Sequence, residues 1–220
     1  MMNLKEVFDR DFLPTHNIPE NKRQSIRQEC TTRSDFDLID QENNFIVDSG
    51  EGTGSFENNA EYNVEILAYD NLVKHYNDKH KDFKGVKSCD FILYSDANST
   101  IVLNEHTSSI RSKENLEEKK DSKTGMTKFQ KAEKQLSDTL GKLQEVDSLN
   151  VIIANSTTKI CLLSYRLNYS NHNAVKAFNR VNKQIAQATG TEGEKLSCPE
   201  IEKKGFEFRR ISHDYRFKLS

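Results

Sequence analysis

Two carboxylates are placed where they could act together. Asp90 opens the apolar run Phe91-Ile92-Leu93-Tyr94, and Glu105 closes a second β-branched run fifteen positions later, across the polar turn Ser95-Asp96-Ala97-Asn98-Ser99. Two such runs joined by a short polar turn read as a hairpin, in which the two positions lie side by side. Alternation sets Asp90, Ile92 and Tyr94 on one face and Ile101, Leu103, Glu105 and Thr107 on one face of the partner; the register decides whether those faces coincide. Paired carboxylates in a half-buried sheet repel each other and lose hydration. A divalent cation is a common reason for such a pair, since Mg²⁺ binds through one or two carboxylates and keeps water and substrate phosphate as its other ligands. Without that chemistry, Asp90 is a strand-start residue, Glu105 a hairpin rim charge, and the two point to opposite faces.

Other chemical motifs are weaker. The loop Gly50-Glu51-Gly52-Thr53-Gly54-Ser55 lacks the following Gly-Lys-Ser/Thr of a phosphate cradle and has acidic neighbours, so it reads as a flexible linker. His16, His75, His80, His106, His172 and His213 form neither a helical zinc pair nor a finger with the cysteines. His106 is aimed by alternation away from Glu105, as a packed or surface histidine. Cys30, Cys89, Cys161 and Cys198 lie far apart and read as free thiols.

The elements that must position the carboxylates follow from periodicity. Tyr62, Ile66, Tyr69, Val73 and Tyr76 recur at steps of four, three, four and three, which predicts a helix over 57–78. After the hairpin, Phe129, Ala132, Leu136, Leu140 and Leu143 predict a helix to about residue 145. Strands are expected over 149–154 and 159–167, a helix over 174–188, and a terminal strand over 206–217. Toward the N-terminus, Leu4, Val7, Phe8 and Phe12 suggest a short helix before an irregular arm, and 36–47 a strand pair turning at 41–44. The expected class is α/β (α+β), a central mixed sheet flanked by helices. The expected division is an N-terminal arm with an acidic, Gly-rich segment over 1–56 and a single core domain over 57–220.

The stretch Cys89-Asp90-Phe91-Ile92-Leu93-Tyr94, the turn, Ile101-Val102-Leu103-Asn104-Glu105, and a helix carrying Lys131-Ala132-Glu133-Lys134-Gln135-Leu136 together resemble the PD-(D/E)XK superfamily of nucleases and restriction endonucleases. The resemblance spans roughly residues 57–155. It implies a restriction endonuclease-like core, a metal site on Asp90 and Glu105, and a further metal ligand from the preceding helix, for which Glu61 and Glu65 are candidates four residues apart. It also implies Mg²⁺ or Mn²⁺ as cofactor and a restriction or phage-defence setting. The family's lysine, two residues after the Glu, is here Thr107. Either Lys128 or Lys131 reaches in from the following helix, with Gln135 one turn further, or the site has lost catalysis. The activity implied is metal-assisted phosphodiester hydrolysis in a nuclease or nuclease subunit; the alternative is an inactive binding or regulatory protein on the same fold.

Composition bounds both readings. The chain has 220 residues, 35% hydrophobic and 30% charged, with a net charge of −2. That total conceals segregation, because residues 35–70 carry ten acids and no Lys or Arg. Such a segment repels phosphate and suits a basic protein partner. Residues 111–134 carry eight bases against five acids, and 203–220 six against two. Lys119, Lys120, Lys123, Arg209 and Arg210 are therefore the candidate nucleic-acid contacts, DNA being favoured over RNA, with Phe206, Phe208, Tyr215 and Phe217 interleaved for stacking. The competing reading of that last segment is an edge strand with one charged face. Apolar runs such as Val151-Ile152-Ile153-Ala154 are four residues long, against roughly 20 for a membrane span. No secretory signal is visible, so the cytoplasm is the expected compartment and oligomer formation stays open.

Overall fold

A computed structural model describes residues 3–41, 44–110, 116–167 and 192–219. The helix expected over 174–188 lies outside these residues. The strands are β1 (Gln28–Thr31), β2 (Asp35–Leu38), β3 (Ile46–Val47), β4 (Gly54–Glu57), β5 (Val64–Ala68), β6 (Phe91–Ser95), β7 (Thr100–Ile110), β8 (Thr158–Leu167), β9 (Glu194–Leu196), β10 (Glu207–Ser212) and β11 (Phe217–Lys218). Seven form one mixed sheet in the order β1-β5-β6-β7-β8-β10-β9, and four form a smaller sheet in the order β11-β4-β2-β3. The expected mixed sheet with flanking helices is thus present.

The helices are α1 (Leu4–Val7), continued through a π-helical turn (Phe8–Phe12) into α2 (Leu13–Thr15), then α3 (Tyr69–Asn77), α4 (Lys128–Gln144), α5 (Asp147–Asn155) and α6 (Pro199–Glu202). β7 and β8 are parallel, and α4 with α5 supplies the crossover that parallel neighbours require. Thr127 starts α4 with a reciprocal capping box, its hydroxyl accepting Gln130 N while Gln130 Oε1 accepts Thr127 N. No helix among the described residues is long and apolar enough to cross a membrane.

The main sheet is covered on both faces, so its central strands are apolar on both. Ile92, Tyr94, Ile101, Leu103, Cys161 and Leu163 face a core shared with the helices. Phe91, Leu93, Val102, Ile160 and Leu162 face a second core beneath the small sheet, with Phe36, Leu38 and Phe56. Leu4, Val7, Phe8, Phe12 and Leu13 belong to the helix-side core, so the N-terminal helical segment is an integral layer.

Four expectations are corrected. Residues 57–78 are not one helix: 64–68 form β5, with α3 following. A step of four is also even, so Tyr62 to Ile66 fits strand alternation as well as helix spacing, and pairing to β1 and β6 decides. Residues 149–154 are helical, burying Leu149, Ile152 and Ile153 and leaving Val151 56% exposed. The terminal strand over 206–217 breaks into β10 and β11, and β10 lies between β8 and β9 rather than at an edge. The Gly-rich loop is anchored: Asp37 Oδ2 accepts Gly50 N at 2.7 Å and Gly52 N at 3.0 Å, and a Cβ on Gly52 would lie 2.5 Å from Leu38 O.

Candidate active site

β6 and β7 pair with Phe91 opposite Asn104 and Ile92 opposite Leu103. One further residue of the same register sets Asp90 opposite Glu105. Ile92 and Tyr94 alternate with Asp90, Ile101 and Leu103 with Glu105, and all four lie in the helix-side core. Both carboxylates therefore face the helices, and the opposite-face arrangement is excluded.

Asp90 is tied to its surroundings by its backbone and one oxygen. Its carbonyl accepts Tyr69 N at 3.0 Å and Asp70 N at 3.4 Å, docking the first turn of α3. Its Oδ2 accepts His106 N at 2.7 Å. Burial pushes its carboxyl up to about 7, with Asp40 and Asp70 adding repulsion and the His106 hydrogen bond and Lys74 opposing. Glu105 is 6% exposed, and its Oε2 is buried without a hydrogen-bond partner. Burial, then the charges of Asp90 and Asp70, hold its carboxyl well above the usual range, against a hydrogen bond from Gln135. Two buried carboxyls, both raised, with one oxygen lacking a hydrogen-bond partner, form a place that a cation would favour.

α3 and α4 supply the rim. Asp70 Oδ1 accepts Ser88 Oγ at 2.6 Å, and its Oδ2 pairs with Lys74 Nζ, one turn along α3. That pairing, with Asp40 and Asp90 nearby, raises the Lys74 ammonium above its ordinary value. Gln135 Nε2 donates to Ser88 O at 3.0 Å, so α4 closes over the carboxylates from the other side. The sequence argument did not single out Asp70, Lys74 or Ser88; the usable signal was Asp-x-x-x-Lys on an amphipathic segment.

The remaining sequence candidates fall elsewhere. Glu61 is exposed in a left-handed turn, φ 52°, before β5. Glu65 lies on β5 opposite Tyr94, four residues from Asp90 along the strand direction, or roughly 13 Å. Its Oε2 accepts Leu4 N and Gln28 Nε2, each at 2.9 Å. Neither joins Asp90 and Glu105, because the helix expected to carry them is a turn and a strand. Lys131 pairs with Asp121 at 2.9 Å, and Lys128 is depressed by burial and by Lys119 and Lys131. Both share a stripe of α4 with Gln135, about 6 and 10 Å along the helix axis from it.

Lys119, Lys120 and Lys123 are exposed around the turn before α4, which Asp121 Oδ1 closes by accepting Lys123 N at 2.9 Å and Thr124 N at 3.0 Å. Arg209 and Arg210 are already engaged by acids. Arg209 pairs with Glu207 at 2.7 Å, and Arg210, 6% exposed, bonds Glu194 at 3.0 Å and also Glu117. Phe206, Phe208 and Phe217 are buried. The expected role of Phe206, Phe208 and Phe217 in base stacking is therefore corrected: these rings fill the two cores, and Tyr215 is partly buried against the second. His106 is a packed residue, its Nε2 2.6 Å from Asn104 Oδ1.

Among the described residues, no group of three or more His, Cys, Asp or Glu side chains is arranged to hold a metal ion. Comparison with protein-family models, curated proteins and solved structures returns no significant match.

Proposed function

We propose that the chain is a metal-dependent phosphodiester hydrolase acting on nucleic acid, DNA in preference to RNA, with a PD-(D/E)XK-like core. The observation that carries this reading is the opposed pair Asp90 and Glu105, facing one way, with Glu105 Oε2 buried and unpartnered. A pair of carboxylates suffices for Mg²⁺ or Mn²⁺, whose remaining positions are taken by water and substrate phosphate. When bound, the cation lowers the pKa of a coordinated water and neutralises charge on the phosphate.

The protein's own groups then have defined tasks. Asp90 and Glu105 would hold the cation, whose charge would favour their ionised forms. Lys74 takes over the task of the missing motif lysine: held by Asp70 and acting on Asp90, its ammonium would orient the attacking water and offset developing negative charge. Gln135 fixes Glu105 while bonding Ser88 O. Lys128 and the exposed Lys119, Lys120 and Lys123 draw the phosphate backbone toward the carboxylates along α4.

A second reading is a catalytically silent binding protein on this fold, favoured by Thr107 and by the lack of a third ligand among the described residues. One experiment separates them. Mg²⁺ titration calorimetry on wild type, Asp90→Ala and Glu105→Gln, with plasmid and single-stranded substrates cleaved in the same buffer, is expected to show binding and cleavage only in wild type. Absence of Mg²⁺ and Mn²⁺ binding by wild type would overturn the hydrolase.

A further inference from the structure

A second site lies where the N-terminal arm crosses the far end of α3. Ile18, Pro19 and Lys22 from the arm and His75, Tyr76, Lys79 and His80 from α3 and its following loop enclose a cavity of about 280 Å³. Small-molecule sites begin near roughly 300 Å³. Its lining combines an apolar floor, Ile18, Pro19 and Tyr76, with Lys22, Lys79 and two imidazoles, and none of the lining residues is acidic.

The walls are fixed before any ligand arrives. Asn17, at φ 57°, turns the chain back after α2, and its Nδ2 donates to Asp82 Oδ2 at 3.1 Å. Tyr76 Oη accepts Gln24 N at 2.6 Å and donates to Lys22 O at 3.1 Å, and Arg23 Nε donates to Ile18 O at 3.1 Å. The His75 and Tyr76 rings are perpendicular, 4.8 Å apart, and His75 is half-buried. Lys22 and Lys79 are exposed. The nearby acid Asp82 is turned to Asn17 and to His80, 3.9 Å away.

Ring and apolar side chains beside two lysines in one cavity favour a flat ring that carries negative charge. We propose that this cavity binds one nucleotide unit, its base against His75 and the Pro19–Tyr76 floor and its phosphate between Lys22 and Lys79. The site requires no metal and does not depend on hydrolysis by Asp90 and Glu105. α3 connects the two places, with Lys74 next to His75.

Calorimetric titration of the full chain without metal tests the site with three probes: adenosine 5′-monophosphate, ribose 5-phosphate and inorganic phosphate. The nucleotide should bind at least about tenfold more tightly than ribose 5-phosphate, a difference the base must supply. The Lys22→Glu/Lys79→Glu variant, altered only at exposed positions, should lose at least about tenfold in nucleotide affinity. A 5′-phosphorylated single-stranded oligonucleotide identifies the source: if it outcompetes the mononucleotide, the unit belongs to a strand. Asp90→Ala should leave nucleotide affinity unchanged, which keeps this outcome separate from that of the hydrolase. Binding of neither nucleotide nor oligonucleotide, equal binding of ribose 5-phosphate, or full affinity in the charge-reversed variant would each overturn the proposal.

Discussion

Glu65 and Glu105 are both strand glutamates on the helix-covered face of one sheet, and burial raises both carboxyls. Their surroundings differ. Glu65 Oε2 receives the first amide of α1 and the Gln28 side chain, and so fastens the N-terminal segment to the sheet. Glu105 faces Asp90 and keeps one oxygen with no partner. Burial alone therefore does not mark a functional carboxylate; the marker is burial combined with a missing partner and a like charge.

The largest expected effect breaks this contrast in activity. Asp90→Asn or Glu105→Gln should lower metal-dependent cleavage by at least about 10²- to 10³-fold, as loss of a group aimed at developing charge does, while Glu65→Gln leaves it unchanged in a plasmid-nicking assay. Lys74→Ala should cost about 10- to 100-fold, and Lys131→Ala, whose amine is held by Asp121, should not. Equal losses at both lysines would move the water-orienting role to α4.

Stability should show the opposite pattern. Glu65→Ala leaves Leu4 N without its acceptor and should destabilise by about 1–3 kcal/mol in urea unfolding. Glu105→Gln should raise the metal-free midpoint at pH 8, because a buried amide escapes the cost that burial and Asp90 impose on ionising the carboxyl.

The pH dependence follows in sign from Asp90. Its carboxyl is raised from an ordinary 3.8 to about 7, so between those values the folded chain holds a proton that the unfolded chain has released. The stabilising contribution is full below the ordinary carboxylate value and is lost as pH rises toward 7. Metal-free urea midpoints should fall across that window, and saturating Mg²⁺ should reverse the trend. The smallest effect concerns His106, pushed down to about 3 by burial: its ring signals should not titrate in NMR spectra between about pH 5 and 8.

Much of the fold was legible from local chemistry. The β6–β7 hairpin, the start of α4 at Thr127 and the apolar stripe of α4 are each specified by residues close in sequence. Errors fell where two periodicities coincide. Tyr62 to Ile66 is an even step, and the run Val151-Ile152-Ile153-Ala154 is too short to tell strand from helix. Such segments take their form from the partners available to them: β1 and β6 for residues 64–68, the helix-side core for α5.

The sequence by itself determined that Asp90 and Glu105 lie on adjacent strands, because turn length and alternation are local properties. It did not determine that they face the same way, which depends on register and on which face the helices cover. Nor could it supply Asp70 and Lys74: these reach the carboxylates only because the first turn of α3 is bonded to the carbonyl of Asp90, twenty residues away from Asp70 in the chain. Tertiary structure likewise neutralised part of the basic tail, since Arg210 meets Glu194 only once β9 pairs with β10. Strand pairing is encoded by neighbours in sequence, whereas the charge a carboxylate feels is set by groups that meet only after folding.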